Sequence, residues 1–501
     1  MQYSQVKLQN YDWQDENIAI LIKDEDKELN FLEENLRTEF KSLLEDYELK
    51  SDETKVIDFL TSREGKKHRF FLVKLQEGPH IQVRRKAMRE LECKLRERKV
   101  EDLALVIGSK FCAKGLSSLL NQLDLATYRF DMHLGHGGPN PNPNNELPEK
   151  PETHVLSNLK LVLSSEIENQ EVVIDEAFKL AEAVKLSRYL VDQPANLMTP
   201  EILAEEAKKA AEKYGFEIEI KEKDEIIDMG MEAFWAVAKG SDNPPRFIVM
   251  RYLNNPDSDE KIALVGKGIC YDSGGYAIKP ASGMVTMHAD MGGSAAVIGA
   301  ISALAACQEK VNVVAIVAAC ENMISGDANR NGDIIGSLAG KTIEVLNTDA
   351  EGRLTLADAV TYAQKFEKAT KIIDIATLTG ACVVALGTDI AGVISNDDEI
   401  FNAIQLGSDL SGDKVWRMPN DDEYALLNKS RRADISNTGS SRWGGMITAG
   451  LFVRAFTGGL PWAHIDIAGP AYLDGPTEGY PAGASGAGAA ILYHATKELC
   501  K

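Results

Sequence analysis

Apolar runs alternate with charged helical stretches in the first part of the chain. The charged stretches, such as RRKAMRELECKLRERK, have the composition of solvated helices. A segment rich in Gly, Pro and Asn at 134–152 predicts a loop, because it cannot hold a regular ladder or helix. Buried strands are predicted at IAILI (18–22), RFFLVKL (69–75), LALVIG (103–108) and THVLSNLKLVLSS (153–165). We therefore predict a small N-terminal α/β domain at residues 1–172 that contains this loop.

A long helical pattern then leads to a second domain. EAFKLAEAVKLSRYLVDQPANLMT predicts a helix that ends near Asp192, and residues 173–198 are predicted to connect the domains. Thr199 is the predicted N-cap of the next helix, with Pro200 at its first position and Gly215 at its end.

Strands and helices alternate regularly through the rest of the chain. The predicted helices are GGSAAVIGAISALAAC, TLADAVTYAQKF and TAGLFVRAFT. The predicted strands are EIEIKEKD, FIVMRY, IALVGKG, VNVVAIVAA, TIEVLNTD, IIDIATL and AGVISN. This alternation predicts a larger α/β domain at 199–501, with ligands bound outside the carboxyl ends of the strands.

The composition of the chain limits which classes of protein it can belong to. The chain has 501 residues and a formal net charge of −21, which argues against a general affinity for nucleic acid or anionic membrane and suits a protein that binds cations. Its seven cysteines are scattered without a CxxC pair, which indicates a reducing compartment. We read no secretory signal and no run of about twenty apolar residues, so a cytoplasmic protein without a membrane span is expected.

The octet NTDAEGRL at 347–354 places charged residues at every second position. If this segment is extended, Asp349, Glu351 and Arg353 point to one side. Two carboxylates held that close repel each other unless positive charge lies between them. An exposed edge strand with a solvated charged face is the alternative.

Further charged residues follow the predicted strand IALVG, which we expect to end at Gly266. Lys267, Asp272 and Lys279 come after it within Gly-rich turns, and Asp290 stands just ahead of a helix. Together with the octet, these residues would bring four carboxylates to one edge of the sheet. Divalent cations would relieve the resulting repulsion, and bridging carboxylates can hold two such ions. A surface charge network is the alternative, but it leaves the Gly-rich turns unexplained.

These stretches resemble the leucyl aminopeptidases, cytosolic exopeptidases that use two metal ions. The resemblance covers roughly residues 184–493. Besides the octet it includes VGKGICYDSGG, DMGGSAAV, AACENMISG, ATLTGACVVALG and WAHIDIAG. It implies a catalytic domain with a mixed central sheet flanked by helices, and removal of N-terminal residues from short peptides by two metals that activate a bridging water.

The resemblance also implies a role for each site residue. Asp272 and Glu351 resemble ligands shared by both metals, Lys267 and Asp290 the further ligands of one, and Asp349 the further ligand of the other. The catalytic cations are then Lys279 and Arg353, and the substrate-binding residues are Met287, Thr377, Leu378 and Gly380.

Cofactors and assembly follow from the same resemblance. It implies two divalent ions per subunit, with zinc or manganese preferred to magnesium or cobalt, a bicarbonate ion at Arg353, and a homohexamer. Two other functions stay open at this point: a DNA-binding regulatory protein on the same scaffold, and a dipeptidase of different side-chain preference.

Overall fold

The computed structural model describes residues 1–22, 29–32, 34–46, 54–63, 65–75, 81–108, 111–134, 152–164, 167–477 and 479–501. The chain divides into two compact units, Met1–Glu182 with Thr477–Tyr480, and Ala183–Pro476 with Pro481–Lys501. Almost all of the predicted loop at 134–152 lies outside the described residues. The predicted fold class, α/β with a mixed sheet in the larger unit, is confirmed.

The first unit contains a six-stranded sheet in the order β1-β6-β5-β2-β4-β3. Every neighbouring pair is parallel except β3 and β4. The strands are β1 (Gln2–Lys7), β2 (Asn17–Ile22), β3 (Lys55–Arg63), β4 (Lys66–Lys74), β5 (Asp102–Ile107) and β6 (Asn158–Leu163). The helices are α1 (Glu34–Asp46), α2 (Ile81–Glu97), α3 (Ala113–Ala126) and α4 (Gln170–Asp192), the last of which continues into the second unit.

Strand β2 shows why this sheet is buried on both faces. Ala19 and Leu21 pack into one apolar cluster, whereas Ile18, Ile20 and Ile22 pack into another. Because side chains alternate between the faces of a strand, an uninterrupted apolar run serves two cores at once. Strands β1 and β3 lack such a run, and the sequence did not reveal them.

The second unit is built on an eight-stranded mixed sheet in the order β15-β14-β17-β13-β9-β10-β8-β7. Its strands are β7 (Glu217–Lys221), β8 (Arg246–Leu253), β9 (Ile262–Asp272), β10 (Asn312–Asn322), β13 (Lys371–Ala376), β14 (Ile390–Ser395), β15 (Lys414–Arg417) and β17 (Trp462–Asp466). Small sheets are formed by β11 (Ile334–Ile335), β12 (Ile343–Glu344) and β16 (Ile435–Ser436), and by β18 (Tyr472–Leu473) and β19 (Gly483–Ala484).

Helices connect and cover these strands. They are α5 (Pro200–Tyr214), α6 (Lys223–Asp228), α7 (Glu232–Ala238), α8 (Ala281–Met284), α9 (Gly292–Ala306), α10 (Gly352–Lys365), α11 (Gly380–Leu386), α12 (Asp398–Ser411), α13 (Asp422–Ala425), α14 (Gly445–Arg454) and α15 (Ala489–Leu499). Helix α5 begins and ends as predicted, because Thr199 Oγ1 accepts a hydrogen bond from Ile202 N and Gly215 closes the helix with φ of 82°.

We expected no apolar run long enough to span a membrane, but Met287–Ala306 is such a run. It consists of a short 3-10 turn followed by α9. It is the one stretch of the described chain long and apolar enough to cross a membrane, with a mean hydropathy of 1.4. However, 94% of that window is buried inside the protein, as in the core helix of a globular unit. It is therefore weak support for a membrane span.

The middle of the large sheet places three strand ends side by side. Strand β9 pairs in parallel with both β10 and β13, so their carboxyl ends meet at one edge. Asp272 ends β9, Asn322 ends β10, and Thr377 directly follows β13. This edge carries the residues that the sequence singled out.

Candidate metal centre

Lys267 lies within β9 and not after it, so the prediction that this strand ends at Gly266 is wrong. The glycines on either side of Lys267 are needed because neighbouring segments of the chain pack closely against the strand at these two positions. A Cβ at Gly266 would lie 2.5 Å from Gly293 O, and one at Gly268 would lie 2.7 Å from Val317 Cγ1. The two glycines let the strand continue while the buried Lys267 side chain reaches the edge of the sheet.

The turn after β9 fixes Asp272. Its Oδ1 accepts hydrogen bonds from Gly274 N and from Asn322 Nδ2, each at 2.8 Å. Its Oδ2 lies 2.8 Å from Lys279 Nζ. Gly274 has φ of 85°, a backbone conformation that favours glycine, so the turn can bring Lys279 back to the carboxylate it follows.

The octet NTDAEGRL is not extended, which corrects our prediction. The predicted strand before it shrinks to the two residues of β12, which belong to a small sheet and not to the main one. Asn347 Oδ1 accepts a hydrogen bond from Asp349 N at 2.9 Å, which forms a turn, and α10 begins at Gly352 directly after Glu351. Asp349 and Glu351 thus reach the site through a turn and a helix start.

Two lysines each stand between two carboxylates. Lys267 Nζ lies 2.8 Å from Asp290 Oδ2 and 2.9 Å from Glu351 Oε1. Lys279 Nζ lies 2.8 Å from Asp272 Oδ2 and 2.5 Å from Asp349 Oδ1. The structure therefore brings together all four predicted carboxylates and both predicted lysines.

Three of the carboxylates form a group suited to a cation. Oxygen atoms of Asp272, Asp290 and Glu351 all lie within 4.8 Å of one another, and all three residues are buried. Glu351 Oε2 is buried without a hydrogen-bond partner among the residues described. Because buried carboxylate oxygens require a partner, these residues fit a divalent metal ion.

The charge balance of the group supports the same interpretation. Burial raises the pKa of Asp290 well above its usual value, and burial together with the Glu351 charge raises that of Asp272 to about 6. Burial alone would lower the pKa of Lys267, but the neighbouring carboxylates outweigh it and raise that pKa. The site is short of positive charge, which divalent ions would supply.

Arg353 lies apart from these ion pairs. Its Nη1 donates a hydrogen bond to Asn437 O at 2.8 Å, while its buried Nε meets no acceptor in the described part of the chain. Burial lowers the pKa of Arg353 to about 10, so the guanidinium is still charged at neutral pH. A charged group with a spare N–H donor can hold an anion.

The predicted substrate-binding residues lie around the same edge. Thr377 contacts the metal-ligand candidates directly, since Thr377 O accepts from Lys267 Nζ at 3.0 Å and Thr377 Oγ1 donates to Asp290 Oδ1 at 2.7 Å. Gly380 is exposed, and Leu378 and Met287 are half-buried. These residues are accessible to a ligand.

Three residues without a predicted role also support the site. Asn322 Nδ2 donates both to Asp272 Oδ1 and to Thr348 O, at 2.8 and 3.1 Å. Asn437 holds Arg353, and Asp466 holds the turn after Thr377. Asn322 lies in AACENMISG and Asp466 lies in WAHIDIAG. Both segments were recognised in the sequence, but no pattern indicated a role for these two side chains.

Comparison with known proteins identifies the group to which this site is similar. Residues 185–493 match the sequence profile described as "Cytosol aminopeptidase family, catalytic domain". A probable cytosol aminopeptidase of Treponema denticola is 46% identical over 446 residues, which cover 88% of this chain and 91% of that protein. Probable cytosol aminopeptidases of Clostridium perfringens and Clostridium tetani are 55% and 51% identical, over 67% and 68% of this chain and 68% and 71% of theirs.

Proposed function

The chain belongs to the cytosol aminopeptidase family, and we propose how its residues divide the work of metal-dependent hydrolysis at the N-terminus of a peptide. It is a peptidase, and neither the family match nor the relatives support the DNA-binding alternative. The observation that carries the proposal at residue level is the buried trio of Asp272, Asp290 and Glu351.

Five residues would hold two divalent ions. Asp272 and Glu351 would be shared by both ions, Lys267 and Asp290 would complete one site, and Asp349 would complete the other. Both lysines contact two of these carboxylates, and the greater burial of Lys267, whose side chain is 4% exposed against 17% for Lys279, supports Lys267 as the ligand. Zinc or manganese are the proposed ions, with magnesium or cobalt as the alternatives, and the amine among the ligands disfavours magnesium in particular because that ion takes oxygen ligands. When bound, such ions supply a Lewis acid that polarises the carbonyl and makes water nucleophilic at neutral pH.

Lys279 is proposed to stabilise negative charge on the substrate. Its ammonium group is held in place by Asp272 and Asp349, and the surrounding carboxylates raise its pKa although burial opposes this. The lysine therefore stays charged at neutral pH. A fixed positive charge near the scissile carbonyl favours the transition state over the ground state.

Arg353 is proposed to hold a bicarbonate ion that supplies general-base chemistry. The support for this is the buried Nε donor described above, which faces no acceptor of its own among the residues that the structure covers. Asn437 fixes the other side of the guanidinium, so the free N–H has a defined direction.

Short peptides with a free amino group are the proposed substrates. The backbone of Thr377, Leu378 and Gly380 would align the peptide, and Met287 would contact the first side chain. At Gly380 an added Cβ would meet no described atom within 4 Å, which leaves room beside the turn.

A homohexamer in the cytoplasm is proposed as the working form. The seven cysteines, all within the described residues, form no disulfide bond with one another, which agrees with a reducing compartment. Several large apolar side chains of the second unit are exposed, including Val384 at 90% and Trp443 at 69%, and contacts between copies would cover such groups. Sedimentation should then give the mass of six chains.

Hydrolysis of a panel of aminoacyl amides with zinc, manganese, magnesium or cobalt tests this function. We expect leucine amide and longer peptides to be cleaved, N-acetyl-leucine amide to be inert, and a chelator to abolish turnover. Cleavage of dipeptides alone would favour the dipeptidase alternative. Equal cleavage of the acetylated amide would contradict recognition of a free N-terminus.

A further inference from the structure

Asp466, the last residue of β17, is a buried carboxylate beside the metal centre. The whole residue is inaccessible to solvent. Its oxygens accept four hydrogen bonds, from Leu378 N at 3.2 Å, Thr379 N at 3.4 Å, Ala468 N at 3.1 Å and Thr379 Oγ1 at 2.7 Å. Three of these four donors, Leu378 N, Thr379 N and Thr379 Oγ1, belong to the turn after Thr377, and the Thr379 hydroxyl makes the short, charge-assisted bond, so the carboxylate fixes that turn.

The turn fixed by Asp466 begins with Thr377, which contacts two of the proposed ligands. Thr377 O accepts a hydrogen bond from Lys267 Nζ at 3.0 Å. Thr377 Oγ1 donates to Asp290 Oδ1 at 2.7 Å. One peptide bond separates Thr377 from Leu378, whose N–H is held by Asp466. A shift of that peptide would therefore move both contacts.

The chemistry of an amine ligand makes these contacts important. A lysine that binds a metal is neutral and has one lone pair and two N–H groups. An acceptor for one N–H restricts rotation about the last bond of the side chain and so directs the lone pair. Thr377 O is such an acceptor for Lys267, and its direction is set by the backbone of the turn.

Asp290 is oriented by the same residue. Because the Thr377 hydroxyl occupies Oδ1, the oxygen that remains for a cation is Oδ2, which faces Lys267 Nζ at 2.8 Å. Partners that orient a ligand in this way have a large influence on metal affinity.

We propose that Asp466 is a positioning residue for the metal centre: it fixes the turn at 377–379, and through Thr377 it sets how Lys267 and Asp290 present their ligand atoms. This inference rests on the proposed function of those two residues. Asp466 itself touches neither of them and binds no metal. Its effect on Lys267 and Asp290 is exerted through the backbone of the turn and the Thr377 hydroxyl, and its charge also acts on Arg353.

Asp374 provides a matched control in the same sheet. It lies on β13, next to β17, and is also inaccessible to solvent. It accepts hydrogen bonds from Trp462 Nε1 at 2.6 Å and pairs with His464 Nδ1 at 2.6 Å. Neither of these partners is a proposed ligand. Asp374→Asn therefore removes a buried carboxylate whose side-chain partners both lie outside the turn at 377–379.

The experiment compares the zinc affinities of Asp466→Asn, Asp374→Asn and the wild-type protein, by competition with a chromophoric chelator. We expect Asp466→Asn to weaken one of the two zinc sites by about 10- to 100-fold. Asp374→Asn should bind zinc like the wild type even if its melting temperature falls. The leucine amide kcat should follow the occupancy of the weakened site and recover at higher zinc concentration.

A second pair of variants protects the test against a folding defect in Asp466→Asn. Thr379→Val removes the hydroxyl that donates to Asp466, and Thr379→Ser keeps it. We expect weaker zinc binding in the valine variant and wild-type binding in the serine variant. Equal zinc affinity in both, or wild-type affinity at both sites of a folded Asp466→Asn, would overturn the inference. Failure of the wild-type protein to bind two zinc ions would instead contradict the proposed function.

Discussion

Gly352 leaves the space into which the end of the Lys267 side chain fits. A Cβ at Gly352 would lie 2.7 Å from Lys267 Nζ and would overlap the carbons before it. Gly352 is the first residue of α10 and its φ is not positive, so close approach and not backbone conformation requires the glycine there. The octet NTDAEGRL and Lys267 of β9 thus have complementary shapes at this contact.

Gly352→Ala should therefore displace Lys267. The atoms that the new methyl group meets are the far end of a flexible side chain, so the lysine will move and the helix will stay in place. Movement of Nζ breaks its contacts with Asp290, Glu351 and Thr377 O. We expect zinc affinity to fall by about tenfold or more, and the melting temperature of the metal-free protein to fall as well, because buried carboxylates lose a cation.

Gly283→Ala is the matched control for this substitution. Gly283 lies in α8, and an added Cβ there would meet no atom of the described residues within 4 Å. The zinc affinity of the Gly283→Ala variant should equal that of the wild type. Unchanged zinc affinity in Gly352→Ala would show that Lys267 does not need its observed position.

Lys279→Ala separates catalysis from metal binding. Its ammonium is proposed to act on the substrate and not as a ligand, so we expect both metals to be retained. The kcat for leucine amide should fall by about a hundredfold or more, because a fixed positive charge at the developing oxyanion is lost. Metal content by mass spectrometry and steady-state kinetics measure the two effects. If this variant loses a metal ion, the roles of Lys267 and Lys279 must be exchanged.

Asp358 should make the stability of the protein depend on pH. Its buried oxygens accept hydrogen bonds from Phe234 N at 2.9 Å and Leu338 N at 2.8 Å. Burial nevertheless raises the pKa of Asp358 to about 7. The unfolded chain, with a pKa of about 3.9 for this group, loses the proton first as pH rises. The stabilising contribution of Asp358 is therefore complete below pH 4 and is lost as pH rises through 7.

Asp358→Asn provides the comparison, because an amide does not titrate in this range. Urea unfolding midpoints of the metal-free proteins should show the wild type losing its advantage over the variant between about pH 4 and pH 7. Above that range the difference should be constant. Parallel pH profiles would mean that the backbone donors keep Asp358 ionised in the folded protein.

The sequence was sufficient to predict that four carboxylates and two lysines gather at the site, but not the local backbone that brings them together. NTDAEGRL alternates like a strand, yet Asn347 closes a turn with Asp349 N and α10 begins two residues after Ala350. The hydrogen bond of the asparagine side chain competes with the extended conformation, and alternation alone cannot reveal it.

The glycines around Lys267 show a second reason for such errors. Gly266 and Gly268 have the composition of a turn, but here they allow α9 and β10 to approach the strand closely. That use depends on chain segments far away in sequence. Asn322 and Asp466 were missed for the same reason, since their partners Thr348 and Thr379 lie 26 and 87 residues away.

Anomalous diffraction from crystals soaked in zinc or manganese tests the central claim most directly. The account predicts two anomalous peaks among Asp272, Asp290, Asp349 and Glu351, with Lys267 beside one of them. A map with no peak among these carboxylates, from crystals that contain the metal elsewhere, would contradict the assignment of this site as the metal centre.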